Sequence, residues 1–119
     1  MTGLTTHVLD TYLGIPAEGV QVEFVEITKE GTAIPVSNVK TGKGGRCELA
    51  TQLKKAEYEI RFHVGDYFRT CNTPTADPPF LNIVPVRFTV ADPARHYHIP
   101  LVASPWSYST YKGGAPAAH

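Results

Sequence analysis

Apolar and polar residues alternate with a period of two in several short segments of the chain, each bounded by glycine, proline, aspartate or asparagine. This period is typical of β-strands that bury one face and leave the other in water. The clearest example is residues 56–64, where four apolar side chains alternate with charged or histidine side chains; the apolar ones are Tyr58, Ile60, Phe62 and Val64. This segment predicts a strand whose other face, with Glu59, Arg61 and His63, is solvated.

The same pattern predicts further strands at residues 4–10, around 20–24, within 32–40, and at 46–49, 82–91, 96–103 and 107–112. Prolines after residue 70 exclude a long helix, although residues 66–70 can form one or two helical turns. About eight strands with at most one short helix indicate an all-β sandwich or barrel. At 119 residues, the chain is expected to form a single domain over residues 1–119, with a disordered tail at 115–119.

Charge and composition narrow the possible partners and the compartment. Eleven basic side chains balance eleven acidic ones, so no net field favours nucleic acid or a membrane surface. The first residues lack the features of a secretory signal, and no apolar run approaches the ~20 residues of a spanning helix. We therefore expect a cytoplasmic protein. Its two cysteines, Cys47 and Cys71, fit reduced thiols, although a disulfide between them stays open.

Several separate motifs resemble the transthyretin-like family. They are THVLD at residues 6–10, G-x-P-A at 14–17, GGR at 44–46, which is similar to the family's D-G-R turn, and GDYF at 65–68. The most specific match is HYHIPLVASPWSYSTYKGG at 96–114, which is similar to the H-Y-H-V-P-L-L-x-S-P-x-x-Y-S-T-Y-R-G-S signature of 5-hydroxyisourate hydrolases. Transthyretin itself lacks the histidines of HYH, so the chain resembles the hydrolase branch.

This resemblance implies a fold, an activity and an assembly. The fold is the transthyretin-like (prealbumin-like) eight-stranded Greek-key sandwich with one short helix. The activity is hydrolysis of 5-hydroxyisourate to 2-oxo-4-hydroxy-4-carboxy-5-ureidoimidazoline in urate catabolism. The assembly is a homotetramer, a dimer of dimers with active sites in the channel between dimers. The partner is a small purine-derived substrate, and no cofactor, metal, nucleic acid or membrane is expected.

Histidines are the first candidates for the chemistry. His96 and His98 are one residue apart in a predicted strand, so their side chains leave the same face about 7 Å apart. Imidazole has a pKa near neutrality, which suits it to take a proton from water and return it to a leaving nitrogen. Spacing alone also fits two solvated histidines. The resemblance assigns His96, His98 and His7 to the active site and Arg46 to substrate binding.

The end of the signature departs from the hydrolase pattern. Where the hydrolases have Y-R-G-S, this chain has Tyr111, Lys112, Gly113 and Gly114. The resemblance predicts that Tyr111, Lys112 and Gly114 bind substrate. Lysine keeps the charge of arginine but not its two-pronged donor fork, and glycine lacks the serine hydroxyl. An altered rate, an altered substrate and a lost activity all remain open.

The resulting hypothesis is attack of water on a cyclic amide. His98 is the general base, assisted by His7 and His96, and Arg46 and Lys112 stabilise the carbonyl oxygens. Two alternatives remain. Three histidines could form a zinc site, or the protein could be a non-enzymatic carrier of the transthyretin type.

Overall fold

The computed structural model describes residues 2–114 of the chain. In this part the backbone forms ten strand segments, one 3₁₀ turn at Lys43–Gly45 and one α-helix, α1, at Val64–Thr70. The strands are β1 (Gly3–Asp10), β2 (Ile15–Pro16), β3 (Gln21–Ile27), β4 (Ala33–Lys40), β5 (Arg46–Ala50), β6 (Glu57–Phe62), β7 (Val84–Thr89), β8 (His96–His98), β9 (Leu101–Ala103) and β10 (Tyr108–Thr110).

The strands form two sheets, and β1 is the centre of the first. It pairs antiparallel with β5 on one side and parallel with β8 and then β9 on the other, while β10 extends the sheet beyond β9. The short β2 folds back onto the end of β1. The second sheet has the order β4–β3–β6–β7 and is antiparallel throughout. The predicted all-β sandwich is confirmed.

The inward-facing residues of both sheets form one hydrophobic cluster. The aromatic ring of Phe24 on β3 stacks on Tyr58 of β6 with centroids 5.0 Å apart, and Phe88 of β7 lies 6.3 Å from Phe24. A bulge at Val36 places Phe24 opposite Ser37 and Val25 opposite Pro35. Pro35 is tolerated there because β4 is an edge strand and because the bulge already interrupts the regular hydrogen bonds between β3 and β4.

The strand predicted at 96–103 is in fact two segments. Pro100 has no N–H group to donate to the ladder, and the pairing with β1 stops at His98 and resumes at Leu101. The strands predicted at 82–91 and 107–112 are also shorter, as β7 and β10. The short helix is confirmed as α1, and its Tyr67 hydroxyl donates to Oδ2 of buried Asp10 at 2.9 Å, which ties α1 to the end of β1.

The prediction that Glu59 lies on a solvated face is wrong. Glu59 is only 8% exposed, because the side chains of Arg61 and Arg87 cover it. Nε of Arg61 donates to the Glu59 carboxylate at 2.7 Å, and Nε of Arg87 donates to it at 3.1 Å. Burial opposes ionisation of Glu59, but the hydrogen bonds and charges of the two arginines outweigh burial and lower its pKa. His63 is half-buried on the same outer face, with Nε2 2.5 Å from Oε1 of Glu23.

Both cysteines are free thiols in the structure, so the disulfide left open by the sequence is not formed. Cys71 is exposed, whereas Cys47 is partly buried, and burial raises the pKa of Cys47 to about 11. Its thiol is therefore protonated near neutral pH. Within residues 2–114, no helix has the length and apolar character needed to span a bilayer. The predicted tail at 115–119 lies outside the described residues.

Candidate active site

The outer face of the first sheet collects the predicted histidines. On β1, Leu4, Thr6 and Val8 are buried in the core, so the alternating Thr5 and His7 point to the opposite face. On β8 the pattern is the same, because Tyr97 is buried while the histidines on either side are only partly buried. The parallel register places His96 opposite Gly3 and His98 opposite Thr5. His7, His96 and His98 therefore share one face of one sheet.

Arg46 reaches this face from the other side of β1. It is the first residue of β5 and stands opposite His7 in the antiparallel register. The turn before it needs two glycines with positive φ, 77° at Gly44 and 74° at Gly45. A Cβ atom on Gly45 would lie 2.5 Å from the carbonyl oxygen of Val8, so only glycine lets this turn pack against β1. The turn thus sets the guanidinium beside the imidazole.

The surroundings of His7 favour its neutral form. Burial lowers the pKa of His7, and the positive charge of Arg46 lowers it further, while a hydrogen bond with the backbone of Gly44 acts in the opposite direction. The balance is a pKa below the usual value of histidine. His7 therefore keeps a basic nitrogen at pH values where an ordinary histidine begins to be protonated.

A chain of hydrogen bonds joins the two imidazoles of β8. Nδ1 of His96 lies 2.9 Å from the carbonyl oxygen of Thr2, and Nε2 of His96 lies 2.9 Å from Oγ1 of Thr5. The same Oγ1 lies 2.9 Å from Nδ1 of His98. Thr5 was not among the predicted site residues, although the alternation of β1 places it on the same face as His7, two residues away.

Gly113 is the second residue that the sequence analysis missed. Its N–H donates to the carbonyl oxygen of His98 at 2.6 Å. A Cβ atom at Gly113 would lie 2.7 Å from that oxygen and 2.8 Å from Cδ2 of the His98 ring. Any side chain at this position would therefore displace His98. Gly113 lies in the motif at 96–114, but the local sequence does not indicate this contact, because it joins the segment after β10 to β8.

Two of the predicted substrate-binding residues lie away from the imidazoles in this chain. Nζ of Lys112 is 5.6 Å from the centre of the Tyr97 ring, which is on the core side of β8. Tyr111 is 60% exposed and, with Lys112, lines an apolar groove that also contains Phe88 and Ile99. Gly114 is exposed and directly follows Gly113. The structure thus brings His7, Arg46, His96 and His98 onto one face of the first sheet, while Lys112 lies over Tyr97 and Tyr111 lines the groove.

The three histidines do not make a metal site. Among residues 2–114, no three side chains of histidine, cysteine, aspartate or glutamate are grouped so that they could hold an ion. The zinc alternative considered from the sequence therefore has no ligand set in this part of the chain.

The chain as a whole matches a known protein family. The model of the HIUase/Transthyretin family matches residues 4–113. The chain belongs to this family. The 5-hydroxyisourate hydrolase of Deinococcus radiodurans is 50% identical over 115 residues, covering 93% of this chain and 95% of that protein. The transthyretin-like resemblance read from the sequence is confirmed.

Solved structures of the HIUase/Transthyretin family share the fold. The 5-hydroxyisourate hydrolase of Klebsiella pneumoniae has a TM-score of 0.79 at 28% identity and covers 96% of this chain and 100% of its own. Sea bream transthyretin in complex with thyroxine has a TM-score of 0.85 at 26% identity, covering 95% of this chain and 96% of its own. The transthyretin-like form of the sandwich is therefore confirmed as well.

The charge of Arg46 gives a test of the environment of His7. In an NMR titration, the His7 ring is expected to titrate below the usual imidazole pKa of about 6.5. Arg46→Gln should raise this midpoint because a nearby positive charge is lost, yet leave it below the usual value because burial remains. Arg69→Gln on α1, where the arginine pairs with Asp66, is the matched control and should change nothing. An unchanged titration midpoint of His7 in Arg46→Gln would show that the charge of Arg46 does not lower the pKa of His7.

Proposed function

We propose that this chain hydrolyses 5-hydroxyisourate to 2-oxo-4-hydroxy-4-carboxy-5-ureidoimidazoline by attack of water on a cyclic amide. The observation that carries the proposal is the convergence of His7, Arg46 and His98 on one face of the first sheet, from three different strands. The curated relatives named 5-hydroxyisourate hydrolase, which match nearly the whole chain, support the same reaction.

Proton transfer is assigned to His98, with His96 assisting it from the same strand. As the oxygen of water bonds to the amide carbon, His98 accepts the proton that water loses. The bond between that carbon and the ring nitrogen then breaks, and His98 returns the proton to the nitrogen. A positioned base of this kind contributes roughly 10²–10⁴-fold to a rate. No other proton donor is required.

Charge stabilisation is assigned to Arg46. Its planar guanidinium presents paired donors that match adjacent carbonyl oxygens of a purine-derived ring. As water attacks, negative charge collects on the carbonyl oxygen, and a fixed cation beside it lowers the energy of the transition state. His7 remains neutral beside this cation, so one ring nitrogen can accept a hydrogen bond from the attacking water.

The residues after β10 are proposed to bind substrate. Gly114 is supported by its neighbour Gly113, which contacts His98 directly. Lys112 keeps a positive charge that could pair with a substrate oxygen, but it must leave the Tyr97 ring to do so. For Tyr111 the support is its place in the motif shared with the hydrolases.

The hydrolysis is tested with freshly generated 5-hydroxyisourate, whose ultraviolet absorbance decays as the ring opens. The protein is expected to accelerate this decay well beyond the spontaneous rate. His98→Ala and Arg46→Ala should each lower kcat/KM by roughly 10²–10³-fold, because each removes a group that acts in the transition state. His63→Ala is the control, because His63 directly follows β6 of the other sheet and contacts Glu23 there. A wild-type rate equal to the spontaneous rate, or saturable binding without turnover, would refute the proposal.

We also propose that the chain assembles as a homotetramer, a dimer of dimers, and works in the cytoplasm. Support for assembly comes from large apolar side chains exposed around β10 and from the end of β1 into β2, namely Trp106, Tyr108, Tyr111, Tyr12, Leu13 and Ile15. Monomers rarely expose apolar residues in such groups. The unpaired thiols of Cys47 and Cys71 fit a reducing compartment.

Sedimentation equilibrium tests the assembly. The expected mass is four times the 13.0 kDa of one chain. Trp106→Arg should lower this mass, because burying an unpaired charge in an interface is unfavourable. Val36→Arg is the matched control on edge strand β4, where Val36 is also exposed, and it should leave the mass unchanged. A wild-type mass of 13.0 kDa over the whole concentration range would contradict the tetramer.

A further inference from the structure

The hydroxyl of Thr5 lies between two imidazoles, 2.9 Å from Nε2 of His96 and 2.9 Å from Nδ1 of His98. We infer that Thr5 and His96 are positioning residues that fix the tautomer of His98. The catalytic meaning of this inference rests on the proposed function, in which His98 is the base. The tautomer itself is a property of the folded chain and is measurable without substrate.

The direction of each hydrogen bond in this series follows from its first acceptor, the carbonyl oxygen of Thr2. The carbonyl oxygen of Thr2 can only accept, so Nδ1 of His96 carries a proton and donates it. In a neutral imidazole the other nitrogen is then an acceptor. Nε2 of His96 therefore accepts from the Thr5 hydroxyl.

A hydroxyl has a single proton, so the Thr5 hydroxyl cannot also donate to His98. Its oxygen must instead accept, which requires the proton of neutral His98 to be on Nδ1. The basic lone pair of His98 is then on Nε2. This is the state that the proposed reaction needs, because the base must present a lone pair to water.

His96 thus acts on the tautomer of His98 through the Thr5 hydroxyl. His96 accepts the hydroxyl proton and thereby prevents Thr5 from donating to Nδ1 of His98, which would move the lone pair to the wrong nitrogen. In hydrolases with a catalytic histidine, a buried carboxylate commonly fixes the tautomer. Here a backbone carbonyl, a second imidazole and a hydroxyl provide the same constraint.

Packing also fixes the position of the His98 ring. Thr5 contacts the Nδ1 edge of His98, and Gly113 lies against the Cδ2 edge, so close that no Cβ atom fits there. Threonine suits its position because a β-branched side chain has few χ1 rotamers and favours strands. The register of β1 and β8, with Thr5 opposite His98, brings the hydroxyl within reach of both rings.

The test compares Thr5→Val, which keeps the shape but removes the hydroxyl, with Thr5→Ser, which keeps the hydroxyl. Long-range ¹⁵N–¹H NMR of histidine-labelled protein distinguishes the two tautomers, and the full-length protein is measured at about pH 8.5, above the usual imidazole pKa. In the wild type, His96 and His98 are both expected to carry the proton on Nδ1. In Thr5→Val, His98 should show a large population with the proton on Nε2.

Kinetics provide the second readout. Thr5→Val should lower kcat roughly 10–100-fold, as is typical for loss of a partner that orients an imidazole, with little change in KM. Thr5→Ser should recover most of the loss. Thr6→Val is the matched control on the same strand, since the Thr6 hydroxyl donates to the Ile99 carbonyl at 2.6 Å on the core side. It should lower the melting temperature but leave kcat and the His98 tautomer unchanged.

A wild-type His98 with its proton on Nε2 would overturn the inference, and so would a Thr5→Val variant with an unchanged tautomer and unchanged kcat. Loss of activity in Thr6→Val equal to that in Thr5→Val would overturn it too, because the effect would then be general destabilisation. Failure of the proposed function looks different. It would appear as absence of hydrolysis in the wild type, whatever the NMR spectra show.

Discussion

The site depends on the pairing register of the central strand β1. This strand is hydrogen-bonded to β5 on one side and to β8 on the other, and the two registers place Arg46 opposite His7 and His98 opposite Thr5. Side chains in a strand alternate between faces, so a slip of one residue would turn Thr5 and His7 into the core. The convergence of side chains from three strands on one face of the sheet is therefore a consequence of backbone pairing.

The register is held by packing on the core face and by close backbone contacts at the edges of the site. Leu4, Thr6 and Val8 are each almost fully buried, so a shifted β1 would expose apolar surface and bury polar groups. Gly45 and Gly113 allow the turn before β5 and the segment after β10 to approach within distances that no Cβ atom permits. The same core that stabilises the sandwich thus determines the positions of the imidazoles and the guanidinium.

Most strands and the main histidines of the candidate site could be predicted from the sequence. Alternation of apolar residues identified most strands, and the motif around HYH pointed to His96 and His98. Contacts between distant segments could not be predicted in this way. Glu59 follows the alternation of an exposed residue, yet Arg87 on the neighbouring strand covers it. Gly113 gains its importance only from the position of His98. The position of Thr5 on the same face as His7 could be predicted, because the two are two residues apart on one strand. Its role could not, because a threonine hydroxyl in a strand indicates no function until its hydrogen-bond partners are known.

If His7 and His98 face one ligand, NMR with a stable purine will detect binding at both imidazoles. Urate is added to histidine-labelled protein while the ring resonances of His7, His98 and His63 are followed. His63 follows β6 of the other sheet, contacts Glu23 and serves as the internal reference. We expect the resonances of His7 and His98 to shift together along one saturation curve while those of His63 stay in place. Shifts of His7 and His98 with different affinities, or of only one of them, would contradict it.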